Sequence, residues 1–138
     1  MDINLWAVLA ATVVMFAVGA FWYSVPFQKA WGKIHGFDKL SKKEQQALMD
    51  GMGPIYGAQL VVTIISAYVL THFITAIPDL AYYKIAFFIW LGFVMPSQVS
   101  AVLFSRTDNS MKLRQIAIMS GEALVRLMIA AAVIHWIL

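Results

Sequence analysis

A chain crosses a bilayer only as a helix or as part of a closed barrel, and a helix needs about 20 mostly apolar residues to do it. This sequence contains four such runs, at 3–24, 54–77, 80–105 and 112–138. The first has no charge. The second has His72 as its only candidate charge. The third has only Lys84 near its start, and the fourth carries Glu122 and Arg126 inside its apolar part. Of the 138 residues, 62% are hydrophobic and 12% charged, against roughly 45–50% and 25% in soluble domains. Small domains bury the smallest fraction of their surface, so a soluble fold cannot hide this much apolar area. The pattern excludes a soluble enzyme, a nucleic-acid-binding domain and a disordered tail. The absence of cysteine excludes a disulfide scaffold and thiol chemistry. The expected fold is all-α: one membrane domain, 1–138, of four transmembrane helices with a short cytoplasmic amphipathic helical segment between the first two.

The first run is not expected to be a signal peptide. It is preceded by Asp2 and not by a basic region, and it ends in Phe21-Trp22-Tyr23, as an interfacial aromatic belt would. Charge sets the expected orientation. Eight of the ten Lys and Arg lie in two segments: Lys29, Lys33, Lys39, Lys42 and Lys43 after the first run, and Arg106, Lys112 and Arg114 around the last loop. The positive-inside rule puts both segments in the cytoplasm and both termini outside it. The net charge of +3 then reflects topology and anionic lipid, with no nucleic-acid partner.

The segment 25–53 divides in two. At 26–36, Phe27, Ala30, Trp31 and Ile34 share one helical face, with Gln28, Lys29 and Lys33 elsewhere. That spacing predicts a short helix in the membrane interface, with Phe27, Lys29, Trp31 and Lys33 as its lipid-contacting residues. Ser41-Lys-Lys-Glu44 is a capping box, which predicts a second helix over 42–50. Gly51 and Gly53 end it, and Pro54 suits the first turn of the next span.

Hydrocarbon penalises polar side chains, so those inside the spans are the informative ones. Tyr56, Gln59, Thr63 and Ser66 form a stripe on the second span. Ser97, Gln98 and Ser100 cluster beside Pro96 on the third, where a kink near Gly92 is expected. Gln115, Glu122 and Arg126 share a face of the fourth. Glu122 and Arg126, four apart, can meet. If the helix enters hydrocarbon near Lys112, Glu122 lies about 15 Å in, close to the midplane of a core about 30 Å thick. Gln59 and Gln98 fall near the same depth. These four residues form the expected intramembrane polar centre. It is open to three readings: a structural ion pair that fixes helix register, an ion, proton or solute site, or a contact between protomers.

His72, His135 and Asp79 are outer-face candidates. Such a set can bind a metal or sense pH, or its members can sit separately at the interface; no metal site and no cofactor is expected. Eight scattered methionines read as packing. Gly53-x-x-x-Gly57 and Ala7-x-x-x-Ala11 are small-residue spacings that allow close helix approach. No P-loop, dinucleotide-binding, zinc-hydrolase or Ser/His/Asp pattern is present, so no enzyme is expected.

Leu5-Trp6-Ala7-Val8-Leu9, then Gly19-Ala20-Phe21-Trp22-Tyr23-Ser24, Pro26-Phe27 and Lys29-Ala30-Trp31, resemble the start of the bacterial membrane family known as domain of unknown function 1761. Trp90-Leu91-Gly92-Phe93 and Val102-Leu103-Phe104 resemble its third helix and following turn. The resemblance implies a small four-span membrane protein and no particular reaction. It departs at Gly121-Glu122, where the family's last helix usually carries a Tyr-His or similar polar pair. Two functions are carried forward. One is an oligomeric channel-like, transporter-like or small-solute-binding protein around Gln59, Gln98, Glu122 and Arg126. The other is a non-transport helper or lipid-interacting subunit acting through 26–36. The expected partners are the lipid bilayer, further copies of the chain, and an ion or small solute.

Overall fold

A computed structural model describes residues 2–138. Six helices follow one another: α1 (Leu5–Ser24), α2 (Gln28–Ile34), α3 (Lys42–Asp50), α4 (Gly53–Ala76), α5 (Tyr82–Leu103) and α6 (Asn109–Ile137). There is no strand among the described residues. Helices α1, α4, α5 and α6 are long and apolar enough to cross a membrane. The fold is the all-α four-span bundle that the hydropathy predicts.

Local chemistry explains the boundaries. Asn4 accepts hydrogen bonds from the Trp6 and Ala7 amides at 3.0 and 3.2 Å, so α1 begins at Leu5. Ser41 accepts from the Glu44 amide at 3.2 Å and starts α3 where the capping box predicts. Asp108 accepts from the Ser110 amide and starts α6 three residues before the expected apolar run. Gly36 takes φ +73 and ends α2, a left-handed conformation that favours glycine.

In α5 the expected kink takes a particular form. Residues Trp90–Val94 wind as a π turn, and the Met95 amide donates to the Trp90 carbonyl five residues back. Pro96 has no amide to donate, so the helix ahead of it is short of a hydrogen bond. Ser97 Oγ donates to the Phe93 carbonyl at 2.6 Å and satisfies one backbone group in that turn.

Helix α6 packs against α1, α4 and α5, and α1 also packs against α4. One buried cluster joins the first half of α1, the second half of α4, the start of α5 and the end of α6. Ala7, Ala11, Ala67, Ala86, Ala130 and Ala131 in it are 0% exposed, which lets the backbones approach closely. The Gly53-x-x-x-Gly57 spacing does not act this way. A Cβ at either glycine would meet nothing within 4 Å, so no helix of the chain packs there.

Candidate functional site: a polar cavity between the spans

Away from the alanine cluster the helices leave a cavity of about 630 Å³. Gly19, Tyr23 and Ser24 of α1, Tyr56, Gln59 and Thr63 of α4, Gln98 of α5, and Glu122 and Arg126 of α6 line it, with Met15, Phe16, Ala20 and Ile55. Gln59, Gln98, Glu122 and Arg126 thus share one space, contributed by three spans. The reason is general: a polar group in an apolar helix is least costly when it faces other polar groups inside the bundle.

Glu122 is buried, with its side chain 5% exposed, and the Arg126 side chain is 22% exposed. Arg126 Nε lies 3.5 Å from Glu122 Oε1, one helical turn away, close enough for an ion pair. The pair is not a hydrogen bond, and both atoms are buried without a hydrogen-bond partner. Gln115 Oε1, about two turns further back on α6, is buried in the same condition. Buried polar atoms are nearly always partnered, so such atoms mark places where a polar molecule is at an advantage.

Of the amides beside the pair, Gln59 is held within its own helix and Gln98 by α6. Thr63 Oγ1 donates to the Gln59 carbonyl at 2.7 Å, and the Gln59 amide nitrogen lies 3.4 Å from that hydroxyl. Ser120 Oγ donates to Gln98 Oε1 at 3.1 Å, which leaves the Gln98 amide nitrogen available. Two tryptophans brace α6 around this level. Trp22 Nε1 donates to the Ile118 carbonyl at 3.1 Å and Trp90 Nε1 to the Ser120 carbonyl at 2.8 Å. Two glycines make the fit. A Cβ at Gly19 would meet Glu122 Oε1 at 3.4 Å, and one at Gly121 would meet the Trp22 ring at 3.4 Å.

Gly19, Tyr23 and the two bracing tryptophans were not singled out by polarity or spacing. The block Gly19-x-x-Trp22-Tyr23 was the available signal. Trp22 stands at the end of α1, where the sequence places it in an interfacial belt, and its indole donates inward to the Ile118 carbonyl.

The outer-face candidates are not brought together. His135 stacks on Tyr82 with ring centroids 4.5 Å apart, and His72 lies by Tyr68 and Phe73 at 6.5 and 6.4 Å. Asp79 is exposed in the turn between α4 and α5. No group of three or more His, Cys, Asp or Glu among the described residues can hold a metal ion. Aromatic stacking, and not a shared ligand, organises these histidines.

The amphipathic segment is α2. Phe27 packs on Trp22 at 4.8 Å and Trp31 on Tyr23 at 4.7 Å, so the apolar face lies against the end of α1. Lys29 and Lys33 are exposed. His35 meets Trp31 edge-on at 4.4 Å, and burial lowers its imidazole below the ordinary pKa. Because Tyr23 also lines the cavity, α2 is coupled to the cavity wall through one side chain.

Four membrane-length helices around a polar cavity make this a multi-pass helical membrane protein by fold. The chain belongs to the family described as protein of unknown function (DUF1761), whose model matches residues 6–135. No curated protein and no solved structure matches it.

Proposed function

We propose that the chain is a small-solute-binding or permeation protein whose site is the cavity around Gln59, Gln98, Glu122 and Arg126. The carrying observation is that Glu122 Oε1 and Arg126 Nε are buried beside this cavity without hydrogen-bond partners. A dry structural ion pair would be expected to spend those groups on each other, in bidentate geometry. The two charges cancel, which favours a solute that is neutral or zwitterionic and carries both donors and acceptors. In this reading both termini lie outside the cytoplasm of a bacterial inner membrane, since the exposed lysines of α2 and α3 mark the inner face. Four spans are few for a complete path, so the working unit is a homo-oligomer.

The lipid-interacting helper reading keeps one observation in its favour. Lys29 and Lys33 are exposed beside aromatic residues anchored on α1, which is how an interfacial helix meets anionic lipid.

Flux in vesicles tests the proposal. Proteoliposomes carrying the chain should pass a neutral polar solute, with glycerol and urea as probes beside potassium and chloride. Glu122→Gln should reduce that passage while the protein stays folded. A variant that folds normally with unchanged flux of all four probes would remove Glu122 from the site and leave the helper reading.

A further inference from the structure

An apolar groove adjoins the polar cavity. Along α1 the lining residues keep to one helical stripe, and past Phe16 the stripe runs on as Val13, Leu9 and Leu5. Leu60 and Ile64 of α4 form the facing wall of a groove of about 610 Å³. Phe16 lines both spaces. Thr12 is the polar residue along the groove, and its hydroxyl donates to the Val8 carbonyl at 2.8 Å, so it has no proton left to offer a ligand. The apolar groove and the polar cavity therefore lie end to end along α1 and α4, with Phe16 at their junction, and together they form a trough that is apolar at one end and polar at the other. From Leu5 to Phe16 it extends about 16 Å along the helix axis, close to half of a hydrocarbon core about 30 Å thick. That length accommodates one lipid chain, lying with its head near mid-span and its free end toward the N-terminal end of α1, opposite in direction to a lipid of the surrounding leaflet.

We propose that the trough binds a single-chain amphiphile with a neutral, hydroxyl-bearing head of the monoacylglycerol type. The head lies in the polar cavity among Glu122, Arg126, Gln59 and Gln98, and the chain lies in the groove toward Leu5. This names the solute class for the site proposed above and rests on that reading. Complementarity selects the occupant. The Glu122–Arg126 pair is neutral as a unit, so an ionic head would leave one charge uncompensated. A head with both donors and acceptors serves the carboxylate, the guanidinium and the amides together. A water-soluble solute would fill only the polar end and leave the groove without use.

Photolabelling of the full chain in phosphatidylcholine nanodiscs tests this, with a monoacylglycerol bearing a diazirine at its chain end. The probe should mark Leu5, Leu9 and Val13. Gly19→Leu fills the head end and Leu9→Trp the tail end, and each should lower the labelling several-fold. Gln59→Leu, at an exposed position of α4, should do the same and guards against a folding defect in Gly19→Leu. Equal labelling in the unaltered chain and all three variants would mean ordinary annular lipid and overturn the proposal. Loss in Leu9→Trp alone would mean a chain groove without head recognition, and would overturn it too. Glycerol flux separates this from the small-solute reading. Flux that falls in Gly19→Leu but not in Leu9→Trp, with labelling unchanged throughout, would keep the polar site and reject the amphiphile. Unchanged flux and unchanged labelling in every variant would reject both.

Discussion

In the half of the bundle that holds Ala7, Ala11, Ala67, Ala86, Ala130 and Ala131, the helices meet backbone to backbone. In the other half Trp22 reaches across to an α6 carbonyl and a cavity remains, while Trp90, packed on the alanine cluster, donates to the Ser120 carbonyl at the border between the two. In lipid, association gains little from the hydrophobic effect and much from close packing and internal hydrogen bonds. The two halves use these two sources in different proportion. Small residues close one half. Long indole donors hold the other at a distance, so that polar groups can face a space without meeting the bilayer.

That contrast is open to direct attack. Ala130→Leu adds volume where no space remains and should destabilise the protein by about 1–3 kcal/mol, read as a lower Tm in detergent. Its counterpart, Gly57→Ala, adds a Cβ that meets nothing within 4 Å and should be neutral or stabilising by up to about 1 kcal/mol. A damaging Gly57→Ala would show that this face is an interface after all.

Trp22→Phe and Trp90→Phe each delete one indole donor and keep the ring. Each should cost about 0.5–1.5 kcal/mol, and the loss should be accompanied by altered solute passage, because Glu122 and Ser120, the partner of Gln98, sit on the braced part of α6. The same substitution at Trp6, which is 75% exposed and makes no such hydrogen bond, should change stability by no more than about 0.5 kcal/mol.

Glu122→Gln sharpens the comparison further. In a dry core, breaking a buried pair costs roughly 3–5 kcal/mol. Beside a water-filled cavity the loss should stay below about 1 kcal/mol, and the double variant Glu122→Gln with Arg126→Met should gain little over the single one. A large loss in the single variant, rescued in the double one, would place the pair with the alanine half as a structural element.

The smallest effect concerns α2. His35 has a lowered pKa, so the unfolded chain binds its proton more readily. Its contribution to stability is full above the ordinary histidine value of about 6.5 and declines as pH falls below it. Trp31 fluorescence in vesicles should report loosening of α2 on acidification, and His35→Gln should flatten the response. A response that persists in His35→Gln would assign it to another group.

The spans were legible because bilayer thickness imposes a length, and α3 because Ser41 and Glu44 sit at the capping spacing. The meeting of Gln59, Gln98, Glu122 and Arg126 was legible too, since an apolar surround leaves polar side chains few other places to point. Other features depend on which neighbour a face meets, and spacing alone does not encode that. Gly53-x-x-x-Gly57 has the form of a packing motif but no partner helix. Trp22 has the form of a belt residue, yet finds the Ile118 carbonyl. His72, His135 and Asp79 look alike in depth, but each has different neighbours. Pro96 announced an irregularity without saying that it would be a π turn.

That turn has a further consequence. A π turn holds one residue more than the α-helical turn it replaces, and one residue corresponds to about 100° of rotation. The two ends of α5 are therefore out of phase. Ile85 and Ala86 are buried in the alanine cluster, while Gln98 beyond the turn is aimed at Ser120 and the cavity. In a continuous α-helix Gln98, twelve residues after Ala86, would stand about 120° round the axis from it. The surplus residue takes up about 100° of that turn and brings Gln98 back onto the face that packs on α6, so both halves of α5 meet the same helix. Deleting a single residue within 90–94 would bring the span into uniform phase, turn Gln98 away from Ser120 and leave its length almost unchanged.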